Sequence, residues 1–374
     1  MSELRRIVVL TRAGLGDAVY VIPALRALRR RYPQAHITVI TGNRGYPLLQ
    51  RCPYLDRLYL RHIGNGLVGK LREIVRLRRG RYDLAVILDN SDEKLLHTFL
   101  AGIPRRVGGV KRYFGRLLTD PVPVDPNWHQ INDLNRAVVA RLGCDTSDWR
   151  LELFPDPKAA ASLAAKLEQA GYRGERPLVG INPGASAPNK RWFPERFAQV
   201  ADALLKAGVA VMVLGAKSDM PEVEAMLQVM THRPLVLAGQ LSLDELILCL
   251  GQLDVLISGD TGPAHLAAAM GTPVVGLFGP SQARHFAPIG EQHVIIDRSS
   301  LCAATCSFWT CRGDNHACMR AIEAQQVVSA VIHVLKRSSL LSQDTPTRFG
   351  HAPPKNEAPL PLHGDAVDRD HAPQ

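Results

Sequence analysis

The sequence predicts an α/β protein of two Rossmann-like domains facing a cleft, and three observations carry that expectation. Short runs of Val, Ile and Leu alternate with helical patterns, as parallel strands buried on both faces do. The alternation starts afresh at Pro177, so the domain boundary falls near Pro155 to Gly174. Turns carrying Gly, Asp or Lys follow several strands, and ligands of such sheets bind beyond the strands' carboxyl ends.

Composition bounds the function. At 374 residues the chain exceeds one small core. A hydrophobic content of 46% fits a soluble globular protein. No apolar run approaches the ~18 residues a membrane span needs. No signal peptide is read at Met1–Arg6, so a cytoplasmic location is expected. The formal charge is +10, and the excess sits early, with about 23 Lys and Arg against about 9 Asp and Glu through Asp120. That bias suits nucleic acid, anionic lipid headgroups or an acidic substrate. No nucleic-acid fold signature or aromatic interleaving accompanies it, so nucleic acid ranks low.

Taken in order, Ile7 to Leu10 is a strand, and Thr11 to Asp17 is the turn after it. Val21, Ile22, Leu25 and Leu28 then recur at helical spacing, with Arg26, Arg29, Arg30 and Arg31 expected outside. His36 to Ile40 completes a βαβ unit. Gly14-x-Gly16 is not a dinucleotide fingerprint: Val19 stands at the third small position, and no acidic residue ends the second strand. Tyr82 to Leu88 is the next strand, ending at Asp89-Asn90, and Lys94 to Gly102 a helix. Arg112, Tyr113 and Arg116 lie in a basic, aperiodic stretch suited to recognition. Asn132 to Leu142 is helical, and Asp156-Pro157 reads as N-cap and N1 of a helix to Ala170.

The second series opens with strand Leu178 to Ile181 and the turn Asn182 to Ser186. Helix Glu195 to Lys206, strand Val209 to Leu214, a turn to Asp219, strand Leu235 to Ala238 and helix Leu243 to Leu250 follow. Strand Leu253 to Ile257 then leads into Ser258-Gly259-Asp260-Thr261-Gly262-Pro263-Ala264-His265, the stretch that organises the chain. Asp260 and Thr261 are placed to cap the helix after them, whose first N–H groups would seat a phosphate or diphosphate. Ile322 to Leu335 is an amphipathic helix, and the last residues, 337–374, read as a disordered tail.

Cys302, Cys306, Cys311 and Cys318 cluster at spacings x3, x4 and x6. Two readings stay open for them: a structural zinc or iron site, or unligated thiols on a packed loop.

Three ordered motifs resemble glycosyltransferase family 9, the ADP-heptose:lipopolysaccharide heptosyltransferases. They are Gly14 to Asp17 with Pro23 to Leu28; Asn182 to Ala185 with Lys190-Arg191-Trp192 and Pro194 to Phe197; and Gly259 to His265 with Gly276 to Pro280. The cysteine segment ending Cys318-Met319 is similar to a C-terminal feature of many members. The resemblance implies a GT-B fold, with the acceptor held by residues 1–160 and the nucleotide sugar by 175–336. It implies inverting transfer of a heptose or related sugar from an ADP-sugar to a lipopolysaccharide inner-core-like acceptor, an anionic lipid-linked glycan at the inner membrane face.

Such transfer needs a carboxylate to take the acceptor hydroxyl's proton, and Asp17 matches the family's base; capping its own helix is a compatible second role. The departing diphosphate gains charge and needs donors, for which Lys190, Ser186 and the N–H groups at Thr261 and Gly262 are suited. Gly184 belongs to the same donor side. His265 either bonds phosphate or orders Asp260. Asp219 or Glu222 would hold the ribose through its hydroxyls. No DxD-like motif is present, so no cofactor or divalent ion is required. The alternatives are another GT-B nucleotide-sugar enzyme, with a different donor or an epimerase activity, and a non-catalytic nucleotide-sugar or glycan binder.

Overall fold

The computed structural model describes residues 4–61, 66–89, 91–110, 113–129, 131–302, 306, 309–311 and 316–342. Asn90 and Arg112 lie outside the described residues.

In the first half the strands are β1 (Arg6–Thr11), β2 (His36–Thr41), β3 (Arg57–Leu60), β4 (Leu84–Leu88), β5 (Arg105–Gly109) and β6 (Asp120–Val122). The helices between them are α1 (Leu15–Val19), α2 (Ile22–Arg31), α3 (Tyr46–Leu49), α4 (Leu67–Arg79) and α5 (Asp92–Leu100), and α6 (Asn132–Ala140) follows β6. All pairings are parallel, in the order β3-β2-β1-β4-β5-β6. Alternate β1 residues divide the layers. Ile7 and Val9 pack with Leu25 and Leu28 of α2 and Val138 of α6. Val8 and Leu10 face Leu77 of α4 and Leu95 of α5.

The second half repeats the plan. Its strands are β7 (Leu178–Asn182), β8 (Ala210–Val213), β9 (Leu235–Val236), β10 (Val255–Gly259), β11 (Val274–Phe278) and β12 (Val294–Asp297). Its helices are α7 (Ala159–Gln169), α8 (Pro194–Lys206), α9 (Met220–Val229), α10 (Leu243–Leu250), α11 (Gly262–Ala269), α12 (Ala283–Phe286), α13 (Ala317–Arg320) and α14 (Ala324–Ser342). The sheet is parallel, in the order β12-β11-β10-β7-β8-β9. Two parallel sheets, each sandwiched by helices, bear out the expected fold class.

Several expectations change in detail. Arg26 is not outside; it is 1% exposed. The 148–152 segment crosses α2 and neutralises it: Arg26 pairs with Glu152 and Asp148 and donates to the Asp148 and Arg150 carbonyls. The terminal guanidinium nitrogens are met in this way, which offsets the cost of burying the charge, while Arg26 Nε is buried without a partner among the described residues. Pro157 does not open α7, because Asp156 is drawn to Arg51 (2.7 Å) and accepts from the Lys158 N–H (2.9 Å). α14 runs past Leu335 to Ser342, as no Pro or Gly stands there to stop it. No helix of the described residues is long and apolar enough to cross a membrane.

Candidate functional site

The first piece is the turn leaving β1. Gly14 is extended and precedes α1, where Asp17 sits at the third position. Asp17 Oδ2 accepts the Gly14 N–H at 3.1 Å, so the carboxylate does brace its own helix. Burial pushes the Asp17 carboxyl above the usual range, opposed by the Arg12 charge and the Gly14 N–H. Behind it lies a buried pair, Lys94 with Asp89, whose ammonium also donates to the Thr11 carbonyl. These two act on Asp17 with opposite signs.

The second piece is the end of β10. Asp260 Oδ2 accepts from Lys190 Nζ and from Ser281 Oγ, each at 2.6 Å. Lys190 arrives from the short 3₁₀ turn Pro188–Lys190 after β7, and Ser281 from the turn after β11. Three adjacent strand ends thus converge on one carboxylate. This corrects the capping expectation: among the described residues no side chain caps α11. Asp260 is held by Lys190 and Ser281, while Thr261 Oγ1 lies 2.8 Å from Ser258 Oγ. The first N–H groups of α11 are left without side-chain caps, with the helix's positive end.

Around this cluster sit the remaining donor-side candidates. Asp219 Oδ2 accepts the Ala216 N–H at 2.8 Å, and its carboxylate lies over Gly184, where a Cβ would collide with it. Glu222 Oε1 is paired with Arg191, and Glu222 Oε2 is buried without a protein partner among the described residues. Arg191 also donates to the Ala185 carbonyl at 3.1 Å. Ser186 is exposed.

The two halves meet through α1 and α11. His265 is buried, and its Nδ1 lies 3.0 Å from the Tyr20 hydroxyl. Its ring rests on Gly16, where a Cβ would stand 2.5 Å from His265 Cδ2. A Cβ on Gly262 would stand 2.9 Å from Leu15 Cδ2, so Gly262 serves the junction of the two halves. Burial lowers the His265 imidazole to about 4 and pushes the Tyr20 hydroxyl up. The neutral imidazole thus bonds Tyr20, a partner that neither reading of His265 included. The His129 ring packs tilted against Tyr20, centroids 5.1 Å apart, and bonds the Ala287 carbonyl at 3.0 Å.

Sequence reasoning missed Tyr20, His129, Ser281 and the Lys94–Asp89 pair. Ser281 and Asp89 were within reach, since both follow strand ends, where the same logic located Asp260. Tyr20 and His129 carried no such signal.

Cys318 is buried, while Cys302, Cys306 and Cys311 are partly so. The Cys302 thiol hydrogen-bonds with those of Cys306 and Cys318, and burial first, then these neighbours, push it up to about 12. Among the described residues no group of three or more His, Cys, Asp or Glu is arranged to hold an ion. The metal expectation finds no support among the described residues.

Two parallel sheets joined through their ligand-side turns form the two-domain arrangement of a GT-B fold. The glycosyltransferase family 9 (heptosyltransferase) model matches residues 70–314. Lipopolysaccharide heptosyltransferase 2 of Escherichia coli K12 is 30% identical over 306 residues, 78% of this chain and 87% of that protein. Lipooligosaccharide heptosyltransferase 2 of Haemophilus influenzae is 28% identical, over 78% and 88%. A glycosyltransferase family 9 structure from Veillonella parvula superposes with a TM-score of 0.77 at 24% identity, covering 89% of this chain and 98% of that one. The E. coli ADP-heptose lps heptosyltransferase II structure gives 0.68 at 25% identity, over 89% and 99%. The chain belongs to glycosyltransferase family 9, and it is a transferase rather than a passive binder.

Proposed function

We propose that the protein transfers a heptose from an ADP-heptose-like donor to a lipopolysaccharide inner-core-like acceptor, with inversion at the anomeric carbon. One observation carries this reading: α1, bearing Asp17, packs directly on α11, whose uncapped N-terminus stands beside the Lys190–Asp260–Ser281 cluster. A base from one sheet and an anion seat from the other therefore face a common cleft. Their relatives' names supply the sugar and acceptor: lipopolysaccharide heptosyltransferases 2 and 3 of E. coli are among them.

In this reading residues 1–160 hold the acceptor and 175–336 the donor. Asp17 takes the acceptor hydroxyl's proton as that oxygen bonds the anomeric carbon, and the bond to the diphosphate oxygen breaks. Charge grows on the departing diphosphate, where Lys190, Ser186 and the N–H groups at Thr261 and Gly262 receive it. Asp260 holds Lys190 in place until the donor arrives, and Ser281 fixes Asp260. Glu222 Oε2, buried without a partner among the described residues, suits a ribose hydroxyl, with Asp219 and Gly184 shaping the same wall. His265 orders the junction through Tyr20. The chain works at the cytoplasmic membrane face, where a lipid-linked acceptor is presented.

Calorimetry with ADP, GDP and UDP on wild type and Lys190→Ala tests the donor seat. ADP binding should weaken by about tenfold or more in the variant, and transfer should slow further because charge grows on the leaving group. Unchanged ADP affinity would remove Lys190 from the diphosphate site.

A further inference from the structure

α4 presents an apolar face to solvent. Leu67 is 74% exposed, Val68 61%, Leu71 52% and Val75 45%. At helical periodicity these four fall within an arc of about 100°, flanked on one side by Ile74 and Leu77, which reach the core. A helix that needed only to cover its sheet would carry polar residues there.

Charge completes the pattern. Arg72 and Arg79 border the apolar arc, Arg78 lies within it, and among the described residues no carboxylate pairs with any of the three. The one acid of the helix, Glu73, is turned inward and paired with Arg61 (2.9 Å) and His97 (2.9 Å). Those partners hold its carboxyl down at about 2, so it stays an inward, neutralised anion. The outward face is thus both apolar and cationic.

Position matters as well. A helix returning between parallel strands runs against them, so the Leu67 end of α4 stands at the carboxyl edge of the sheet, the edge that carries Asp17. Val110, Tyr113 and Phe114, at the same edge after β5, are also exposed.

We propose that the outward face of α4 docks the protein on an anionic bilayer, its apolar stripe entering the headgroup–acyl boundary and its arginines meeting lipid phosphates. The occupant follows from charge complementarity: a second copy would set these arginines against their own kind, whereas an anionic leaflet matches them. The inference deepens the acceptor reading above, because a lipid-linked acceptor reaches Asp17 from the surface on which α4 rests.

Flotation of the full chain with vesicles decides it. The protein should bind phosphatidylcholine vesicles containing about one-third phosphatidylglycerol, far more weakly phosphatidylcholine alone, and lose binding at about 0.5 M NaCl. Leu71→Ser with Val75→Ser, and separately Arg72→Glu with Arg79→Glu, should each weaken binding by about tenfold or more. Both pairs lie on an exposed face, and thermal melts check that they fold. Equal binding to both vesicle types, no binding, or variants that bind as well as wild type would overturn the proposal. So would a wild-type dimer that the serine pair dissociates without any vesicle binding. Transfer to a delipidated, water-soluble acceptor should be unchanged in the variants. That arm separates the two readings: failed transfer with intact vesicle binding refutes the proposed reaction, and the converse refutes the docking face.

Discussion

The Tyr20 hydroxyl and His265 Nδ1 lie 3.0 Å apart, one from each sheet, and both are buried. This single bond ties the base-bearing turn to the anion-seating turn. Tyr20→Phe keeps the ring against His129 but leaves the imidazole nitrogen without its partner. Stability to urea should fall by ~1–2 kcal/mol, with turnover reduced through loosened alignment. A variant with an unchanged midpoint would show that the junction does not depend on this bond.

His265 also makes stability depend on pH. Its folded value, about 4, lies below the ordinary 6.5, so between the two the unfolded chain binds the extra proton. The contribution is therefore whole above about pH 6.5 and is lost as pH falls toward 4. Replacing it by His265→Gln should flatten the stability profile across that window, measured by denaturant titration at several pH values. Asp17, whose carboxyl is raised, acts with the opposite sign and does not mimic the effect. A variant as steep as wild type would point to other histidines.

Asp17→Asn keeps the size of the side chain and removes proton acceptance. Turnover should drop by ~10²–10⁴ with ADP affinity little changed. The acidic limb of the wild-type rate profile should lie above the ordinary aspartate range, because burial raises this carboxyl. Near-normal turnover in the variant would exclude Asp17 as the base.

Gly262→Val tests a role that only packing revealed. On sequence grounds a branched side chain there obstructs the diphosphate alone. The structure sets it against Leu15 at the α1–α11 contact, so it should lower the melting temperature as well as donor affinity. Loss of ADP binding with an unaltered melt would return Gly262 to the phosphate site only.

The cysteines have a simple check. Packed thiols predict metal-free protein with Cys302, Cys306, Cys311 and Cys318 all titratable after denaturation. About one equivalent of zinc or iron per chain would reinstate the structural site.

The sequence by itself determined the two β/α series, the strand-end positions of Asp17, Lys190, Asp219 and Asp260, and the family they resemble. These were legible because buried parallel strands are written as short apolar runs and their ligand turns must follow them directly. Tertiary structure alone decided what each side chain touches. Nothing in the local pattern says that Arg26 is buried against Glu152, that Ser281 and Lys190 share Asp260, or that His265 meets a tyrosine 245 residues earlier. Each rests on contacts between segments distant in the chain, whose partners are set by how the helices fill the space between sheets. The face of α4 was hidden for the same reason: its apolar residues form one broad helical face, and only packing shows which part of it the core uses.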